Sequence, residues 1–573
     1  MLYKTLAELY ESLSATTKRL EKIKILSEFL KKLSEQDRDL MYLLLGEIHP
    51  SYSEKKIGIS NQLAIKAISK ATGMGEKRVV QEWKKIGDLG KVAEKLAEHK
   101  KQTTLHSMAS LTAKKVIDSL RKLPELEGKG TVGKKISIIT ELLASASPIE
   151  ALYLIRTLVG DLRIGIQEST IREALVSAFF QEFNEEEKKE VSKAIQSAID
   201  KTNDLAKVFE IAKKGSLKEL GKIHLEVGRP IKVMLSQKVP TIEDGFKALG
   251  KPCAVEYKYD GFRLLIHKKS DNEISLFTRR LENVTKQFPE AVEYVKKYVK
   301  GKSFILDSEA VGFDRKTKAY LPFQQISQRI KRKYRIKEIQ KELPVEVNVF
   351  DILYYNGKSL LNEPFEKRTS LIKKIIKNHP YRIICAKQII TDSEKKAEEF
   401  YKKALADNQE GVMMKSLSAA YQPGSRVGHM LKIKPEERDF DLVITGAEYG
   451  TGKRSGWLSS FILSCFDKKT GRFLEIGKVG TGIKEKGVKG QENLTFERLT
   501  KILTPLITEE KGKTVKIKPK IIVSVTYQEI QKSPNYSSGF ALRFPRVTAL
   551  RPDKPLSEIT TLDEVKKDYE RQK

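Results

Sequence analysis

Over roughly the first 225 residues, apolar positions recur with the period of an α-helix. Leu20, Ile23 and Leu26, then Phe29, Leu30 and Leu33, fall three or four positions apart with lysines and glutamates between them. Ser147-Pro148-Ile149-Glu150 supplies a capping serine, a first-turn proline and an early carboxylate. Leu152, Leu154, Ile155 and Leu158 follow as one buried helix. Leu162-Arg163-Ile164-Gly165-Ile166 interrupts the pattern, and Ser169-Thr170 is expected to cap the next helix. Such a turn can offer backbone N–H groups to a phosphate, or simply join two helices. Gly228-Arg229-Pro230-Ile231 ends the helical region. From Cys253 to Lys434 short apolar strands alternate with helices predicted over 289–299 and 394–406. Beyond Asp439 the strands become short and closely spaced, over 442–445, 460–465, 515–517 and 521–526, with glycines between them. That rhythm predicts a small closed or partly closed β-barrel, followed by a charged helix over 561–569.

The length of 573 residues accommodates three or four domains. The pattern divides it into an all-α region at 1–225, an α+β region at 226–435 and a barrel at 436–573. Charge then narrows the function. A formal net charge of +32 favours a polyanionic partner, most simply nucleic acid; a lysine-decorated surface of the heat-adapted kind gives the same excess. Cys253, Cys385 and Cys465 are scattered without metal-ligand spacing, which predicts neither a disulfide framework nor a zinc site. No signal-peptide core or membrane-length apolar run stands out, so the expectation is a soluble intracellular protein with no membrane partner.

The chemistry concentrates in the middle region. In Glu256-Tyr257-Lys258-Tyr259-Asp260-Gly261-Phe262-Arg263, a continuing strand would put Glu256, Lys258 and Asp260 on one face and Val255, Tyr257 and Tyr259 on the other. Arg263 adds a planar cationic fork suited to phosphate. Arg279 and Arg280 follow the next strand. Asp307 and Glu309 are expected on one face of Phe304–Glu309, Phe350 lies in an apolar strand, Glu410 opens another, and Lys432 and Lys434 share a face. Taken singly, each has a bland reading as a solvated charge or a core aromatic. Together they supply cations for phosphates, carboxylates for a metal, an aromatic face for a base and a nucleophile. Lys258 is the candidate nucleophile. A free lysine titrates at about 10.4, so its reactivity depends on neighbours that favour the neutral amine.

This set, in this order, resembles the ATP-dependent DNA ligases of the archaeal and eukaryotic replicative type, and most the archaeal ones, over nearly the whole chain. Lys258-Tyr259-Asp260-Gly261-Phe262-Arg263 is similar to the family's first motif, whose lysine carries AMP. The resemblance implies that Glu256 contacts the adenine and Arg263 the ribose or phosphate end. It assigns further ATP contacts to Arg279, Glu309, Phe350, Arg426 and Lys432, and metal handling, by Mg²⁺ or Mn²⁺, to Glu309 and Glu410. Ala541–Arg546 is followed by Arg551-Pro552-Asp553-Lys554, which resembles the family's last motif, on the barrel, and by that resemblance would orient the pyrophosphate during self-adenylation. One departure is Ser308, where the family's third motif has glycine. The implied architecture is a helical DNA-binding domain, a nucleotidyltransferase (adenylation) domain and an OB-fold. The implied function is sealing of 5′-phosphate/3′-hydroxyl nicks through a lysyl-AMP in replication, recombination and repair. The implied partner is nicked duplex DNA, met by a monomer in the cytoplasm, at the nucleoid. Gln102-Thr103-Thr104-Leu105-His106-Ser107 resembles short sliding-clamp-binding sequences, without their aromatic pair. RNA ligases and RNA-capping guanylyltransferases share the lysine motif, and a non-catalytic nucleic-acid scaffold is the rival of another class.

Overall fold

A computed structural model describes the chain apart from residues 54, 99–109, 129, 331, 333, 436–437, 451–453, 455, 486–493 and 572–573. The Gln102–Ser107 stretch therefore lies outside the described residues. The chain divides into two compact units, Met1–Glu82 with Leu89–Pro435, and Trp83–Asp88 with Glu436–Lys573.

The N-terminal part is helical. The helix Pro148–Leu158 is buried from Glu150 to Leu158, and the side chain and N–H of Ser147 both reach Glu150, closing a capping box. Ser169-Thr170 does not cap the following helix. That helix starts at Glu168 with Gln167 as its N-cap residue, so the two hydroxyl residues sit inside its first turn. The turn before it is held from below. Lys22, 7% exposed, donates to the carbonyl of Ile164 at 2.6 Å and of Gly165 at 3.2 Å.

The middle region builds two sheets. The first runs β1 (Leu235–Lys238), β12 (Arg426–Ile433), β11 (Gly411–Lys415), β2 (Cys253–Lys258) and β10 (Gln388–Thr391) in spatial order. The second has the order β4 (Glu273–Thr278), β3 (Phe262–Ser270), β5 (Phe304–Phe313), β7 (Val345–Tyr355) and β8 (Lys358–Ser359). The short β6 (Tyr320–Leu321) pairs with β5, and β9 (Ile383–Cys385) with β7. Helices Ile242–Leu249 and Glu394–Ala406 pack on the first sheet, and Pro289–Tyr298, Phe323–Ile330 and Phe365–Ile375 on the second. Period-two alternation fixes which side chains face the helices. Val255 and Tyr257 join the core under the first sheet, and Leu264 and Ile266 that under the second. Leu265, Phe277, Ile305 and Met430 form a third cluster with Tyr421 and the segment Ile231–Met234.

The C-terminal unit is strand-rich and curved into a partly closed barrel. β13 (Arg438–Tyr449) pairs with β14 (Leu458–Asp467), which pairs with β15 (Arg472–Val479). The other edge of β13 is shared. Gly446–Glu448 meet β17 (Thr514–Ile517), itself paired with β16 (Ile507–Lys511), and Arg438–Val443 meet β18 (Ile522–Tyr527). A hairpin of β19 (Glu529–Lys532) and β20 (Phe540–Arg543) precedes β21 (Arg546–Leu550), which pairs with β18. The strands run longer than apolarity alone predicts, because polar ends such as Arg438 and Asp439 still find ladder partners. The last helix is Leu562–Arg571.

Where β11 begins, Gly411 has φ +138°, and a Cβ there would lie 2.2 Å from the Ile433 carbonyl oxygen. Only glycine allows β12 to approach this closely. Gly411→Ala is expected to cost about 2–4 kcal/mol, read as a lower urea midpoint with an unchanged slope.

Candidate active site

The two middle-region sheets are joined by the turn Tyr259–Gly261, and a cavity of about 720 Å³ lies along it. Glu256, Lys258, Arg263, Arg279, Glu309, Phe350, Glu410, Arg426 and Lys432 all line it. Asp260 does not share their face. β2 ends at Lys258, so the alternation stops there. The Asp260 N–H then donates to Gln409 Oε1 at 3.0 Å, and its carboxylate accepts from the Phe323 N–H at 3.4 Å.

Lys258 is the last residue of β2, its side chain 20% exposed. Its Nζ lies 2.6 Å from Glu410 Oε2, while the Glu410 N–H donates to the Lys258 carbonyl at 2.9 Å. The same Glu410 oxygen also meets Lys434. Burial pushes the Glu410 carboxyl up, but the charges and hydrogen bonds of Lys258 and Lys434 more than reverse this and hold it at about 2. Lys432 and Lys434 titrate below their ordinary value, first through burial and then through repulsion from Lys258. Glu309 is pushed up to about 8, mainly by burial, with Glu410 and Asp307 adding and Lys258 and Arg263 opposing.

Glu256 is 2% exposed and faces inward from β2. It accepts from Lys415 Nζ at 2.5 Å and from Gln388 Nε2 at 2.8 Å, side chains of the two strands flanking β2. Burial raises its carboxyl, and Lys415 offsets part of that. Two cations approach the Phe350 ring, the Arg263 guanidinium 4.8 Å and the Lys415 ammonium 4.7 Å from its centre. Arg263 is itself held by Asp307, whose Oδ1 accepts from Nε at 2.5 Å and whose Oδ2 accepts from Nη2. Burial works against the charged guanidinium, and Asp307 more than compensates. Arg279 follows β4 at the cavity rim, and Arg426, opening β12, donates to the Ser236 carbonyl at 2.6 Å. Ser308 fits without strain of its own: its Oγ donates to the Leu264 carbonyl at 2.6 Å.

Lys415 is a site residue that the sequence pattern does not single out. It sits two positions after Met413 on β11, and both residues line the cavity, so the strand's alternation carries the signal. The sequence sets Asp307 beside Glu309 but gives no sign of its partner Arg263, since a contact between β3 and β5 leaves no local trace. The closing segment Arg551–Lys554 lies in the C-terminal unit. There Asp441 accepts from Arg551 Nη1 at 3.0 Å and from Lys554 Nζ at 2.5 Å.

Among the described residues no group of three or more His, Cys, Asp or Glu side chains could hold a metal ion. Mg²⁺ needs less, because it is commonly held by one or two carboxylates plus substrate phosphates and water. Glu309 and Glu410, which both line the cavity, fit that requirement, the cation taking the place of the proton that burial favours on Glu309.

A cleft that brings a strand-end lysine, the carboxylates of Glu256, Glu309 and Glu410, an aromatic ring and several further cations together has the parts a nucleotidyltransferase needs. Three family models match the chain: "DNA ligase N terminus" over residues 2–176, "ATP dependent DNA ligase domain" over 233–434 and "ATP dependent DNA ligase C terminal region" over 454–554. The DNA ligase of Nanoarchaeum equitans is 44% identical over 573 residues, covering 100% of this chain and 99% of its own. That of Thermococcus onnurineus is 38% identical over 571 residues, covering 100% and 98%. The solved structure "Pmar-Lig_PreS3", 18% identical, shares the fold over 95% of this chain and 99% of its own, with a TM-score of 0.57. The chain belongs to the ATP-dependent DNA ligase family.

Lys415→Met leaves the Glu256 carboxylate buried without its cation. The expected loss is about 3–5 kcal/mol at neutral pH. Glu256 then titrates further above its ordinary 4.5 when folded, so the penalty appears as pH rises above that value and shrinks below it. Urea unfolding of Lys415→Met at pH 5 and 8, with Lys415→Met/Glu256→Gln recovering much of the loss, checks this.

Proposed function

We propose that this ligase seals nicks in duplex DNA through a covalent adenylate on Lys258. The observation that carries the reading is the Lys258 amine, 2.6 Å from Glu410, at the strand end where the cleft's carboxylates and cations converge. In the first step the deprotonated Lys258 Nζ bonds to the α-phosphorus of ATP and pyrophosphate leaves. AMP then passes to a 5′-phosphate at the nick. Finally the 3′-hydroxyl oxygen bonds to that phosphorus and expels AMP, closing the strand.

Each side chain has a stated part. Glu256 and Phe350 receive the base, Phe350 through its ring face and Glu256 through hydrogen bonds with the adenine. Arg263, Arg279, Arg426 and Lys432 hold ribose and phosphate oxygens as donors. Glu309 and Glu410 hold Mg²⁺ or Mn²⁺. Bound there, the metal supplies Lewis-acid stabilisation of charge on the phosphate oxygens. Lys432 and Lys434 stabilise the same charge from the β12 side. Glu410 has a second duty, pairing with Lys258 in the open cleft, and it would also help to hold the metal.

Three domains divide the labour: residues 1–225 grip DNA, 226–435 form the adenylate, and 436–573 close on each substrate in turn. The net charge of +32 supports a duplex as partner, with phosphates neutralised by lysine and arginine. The protein acts as a monomer at the nucleoid in the cytoplasm. A sliding clamp is a further partner through the 102–107 stretch. An RNA ligase or capping enzyme shares the lysine chemistry, and parallel nick-sealing assays on DNA and RNA duplexes separate these.

Incubation with α-labelled ATP and Mg²⁺ is expected to label the wild-type chain covalently. Lys258→Ala should take up no label and lose at least about 10³-fold in sealing of an ordinary 5′-phosphate nick. A labelled Lys258→Ala chain, or full sealing by it, overturns the assignment. Removal of divalent metal with a chelator is expected to abolish labelling, and added Mg²⁺ to restore it.

A further inference from the structure

Tyr421 lies outside the cavity wall, between β11 and β12, and is 3% exposed. Its hydroxyl donates to Asp307 Oδ2 at 2.7 Å and accepts from the Met234 N–H at 3.0 Å. It also accepts from Arg263 Nη2 at 3.4 Å, a longer and direct link to the guanidinium. The residue is fixed from behind. Its N–H donates to the Leu361 carbonyl at 2.8 Å, and the Arg368 guanidinium lies over its ring at 5.9 Å. Arg368 in turn grips Asp351 at 2.7 and 3.1 Å and donates to the Ala419 carbonyl at 3.1 Å, two residues before Tyr421.

Asp307 is fully buried, and among the described residues its carboxylate hydrogen-bonds only with Arg263 and Tyr421. Besides Arg263 itself, the tyrosine hydroxyl is therefore the group that can fix the plane in which the carboxylate presents itself. A guanidinium docked side-on to a carboxylate takes that plane as its own. Asp307 occupies Nε and Nη2 of Arg263, while Nη1 makes no hydrogen bond with any described residue and the side chain lines the cavity. A misoriented Asp307 would turn that remaining edge away from a ligand, and phosphate recognition by a planar fork is sensitive to such rotation.

We propose that Tyr421 is a positioning residue for nucleotide binding: through Asp307 it orients Arg263 so that the free Nη1 edge faces the nucleotide. This rests on the reading of Arg263 as an ATP contact. The hydroxyl is a rigid spacer, anchored to backbone at Met234 on one side and to a carboxylate on the other. It does not touch the ligand and takes no part in bond formation.

The test is a double-mutant cycle on the full chain, following the rate of covalent labelling by α-labelled ATP against ATP concentration. Tyr421→Phe keeps the ring and removes only the hydroxyl. It is expected to raise the KM for ATP about tenfold, the loss of one hydrogen bond to a charged group, with kcat within about twofold. Arg263→Gln is expected to raise KM at least as much. In the double variant KM should match Arg263→Gln alone, because Tyr421 has nothing left to orient. Multiplying effects in the double variant, or an unchanged KM in Tyr421→Phe, overturn the proposal. An unchanged KM in Arg263→Gln overturns instead the reading of Arg263, leaving that of Lys258 to its own test. Should Tyr421→Phe fail to fold, Asp307→Asn takes its place in the same cycle with the same expected outcomes, since it loosens Arg263 from the next link of the relay.

Discussion

The cleft depends on one close approach. At Gly261 a Cβ would sit 2.4 Å from the Ala310 carbonyl oxygen and 3.0 Å from Glu309 Cγ. No side chain fits between the turn and β5, so the end of the first sheet lies directly on the second. Three positions of the proposed site follow from this contact. Lys258 ends β2, Arg263 is the second residue of β3, and Glu309 pairs with Arg263 across the β3–β5 ladder. Any larger residue at Gly261 would part the sheets at the cavity.

Around that contact, charges are buried in couples. Glu256 with Lys415, Asp307 with Arg263, Asp351 with Arg368 and Glu290 with Arg329 are each all or mostly out of solvent. Such pairs contribute little net stability against an apolar core, because desolvation cancels much of the attraction. Their value lies in direction. In the Asp307–Arg263 and Asp351–Arg368 pairs a carboxylate answered by a two-pronged guanidinium has one orientation, whereas apolar side chains in the same space would have several. Two of the four brace residues that line the cavity, Glu256 and Arg263, and a third begins one residue beyond Phe350. The energetic cost is accepted where position matters.

Much of this is legible along the chain. Helical periodicity in the first 225 residues, the switch to strands and the later run of short strands each rest on local pattern, which survives folding. The lysine motif and the polar groups on apolar strands are visible for the same reason, since a charge in a buried strand has to be explained. The pairings are not visible. Lys415 and Glu256 are far apart in sequence and become neighbours only through the β2–β11 register, Met413 opposite Glu256. Tyr421 looks like an ordinary loop aromatic, and its hydroxyl acquires meaning only beside Asp307. Asp260 departs from the expected face because alternation does not extend that far. The strand stops at Lys258, and the residues after it obey the turn instead.

The arrangement of Glu410 between Lys258 and Lys434 has a bearing on selectivity in time. A single carboxylate oxygen facing two ammonium groups keeps both occupied whenever the cleft holds nothing else. An amine engaged in this way is a poor match for stray aldehydes, activated esters or other electrophiles that drift into an open groove. It becomes available only to a visitor that brings enough negative charge to draw the lysines off and enough cation to claim the carboxylate. On the reading proposed for Lys258, the safety catch and the trigger are the same side chain, and the molecule that releases it is the one that reacts.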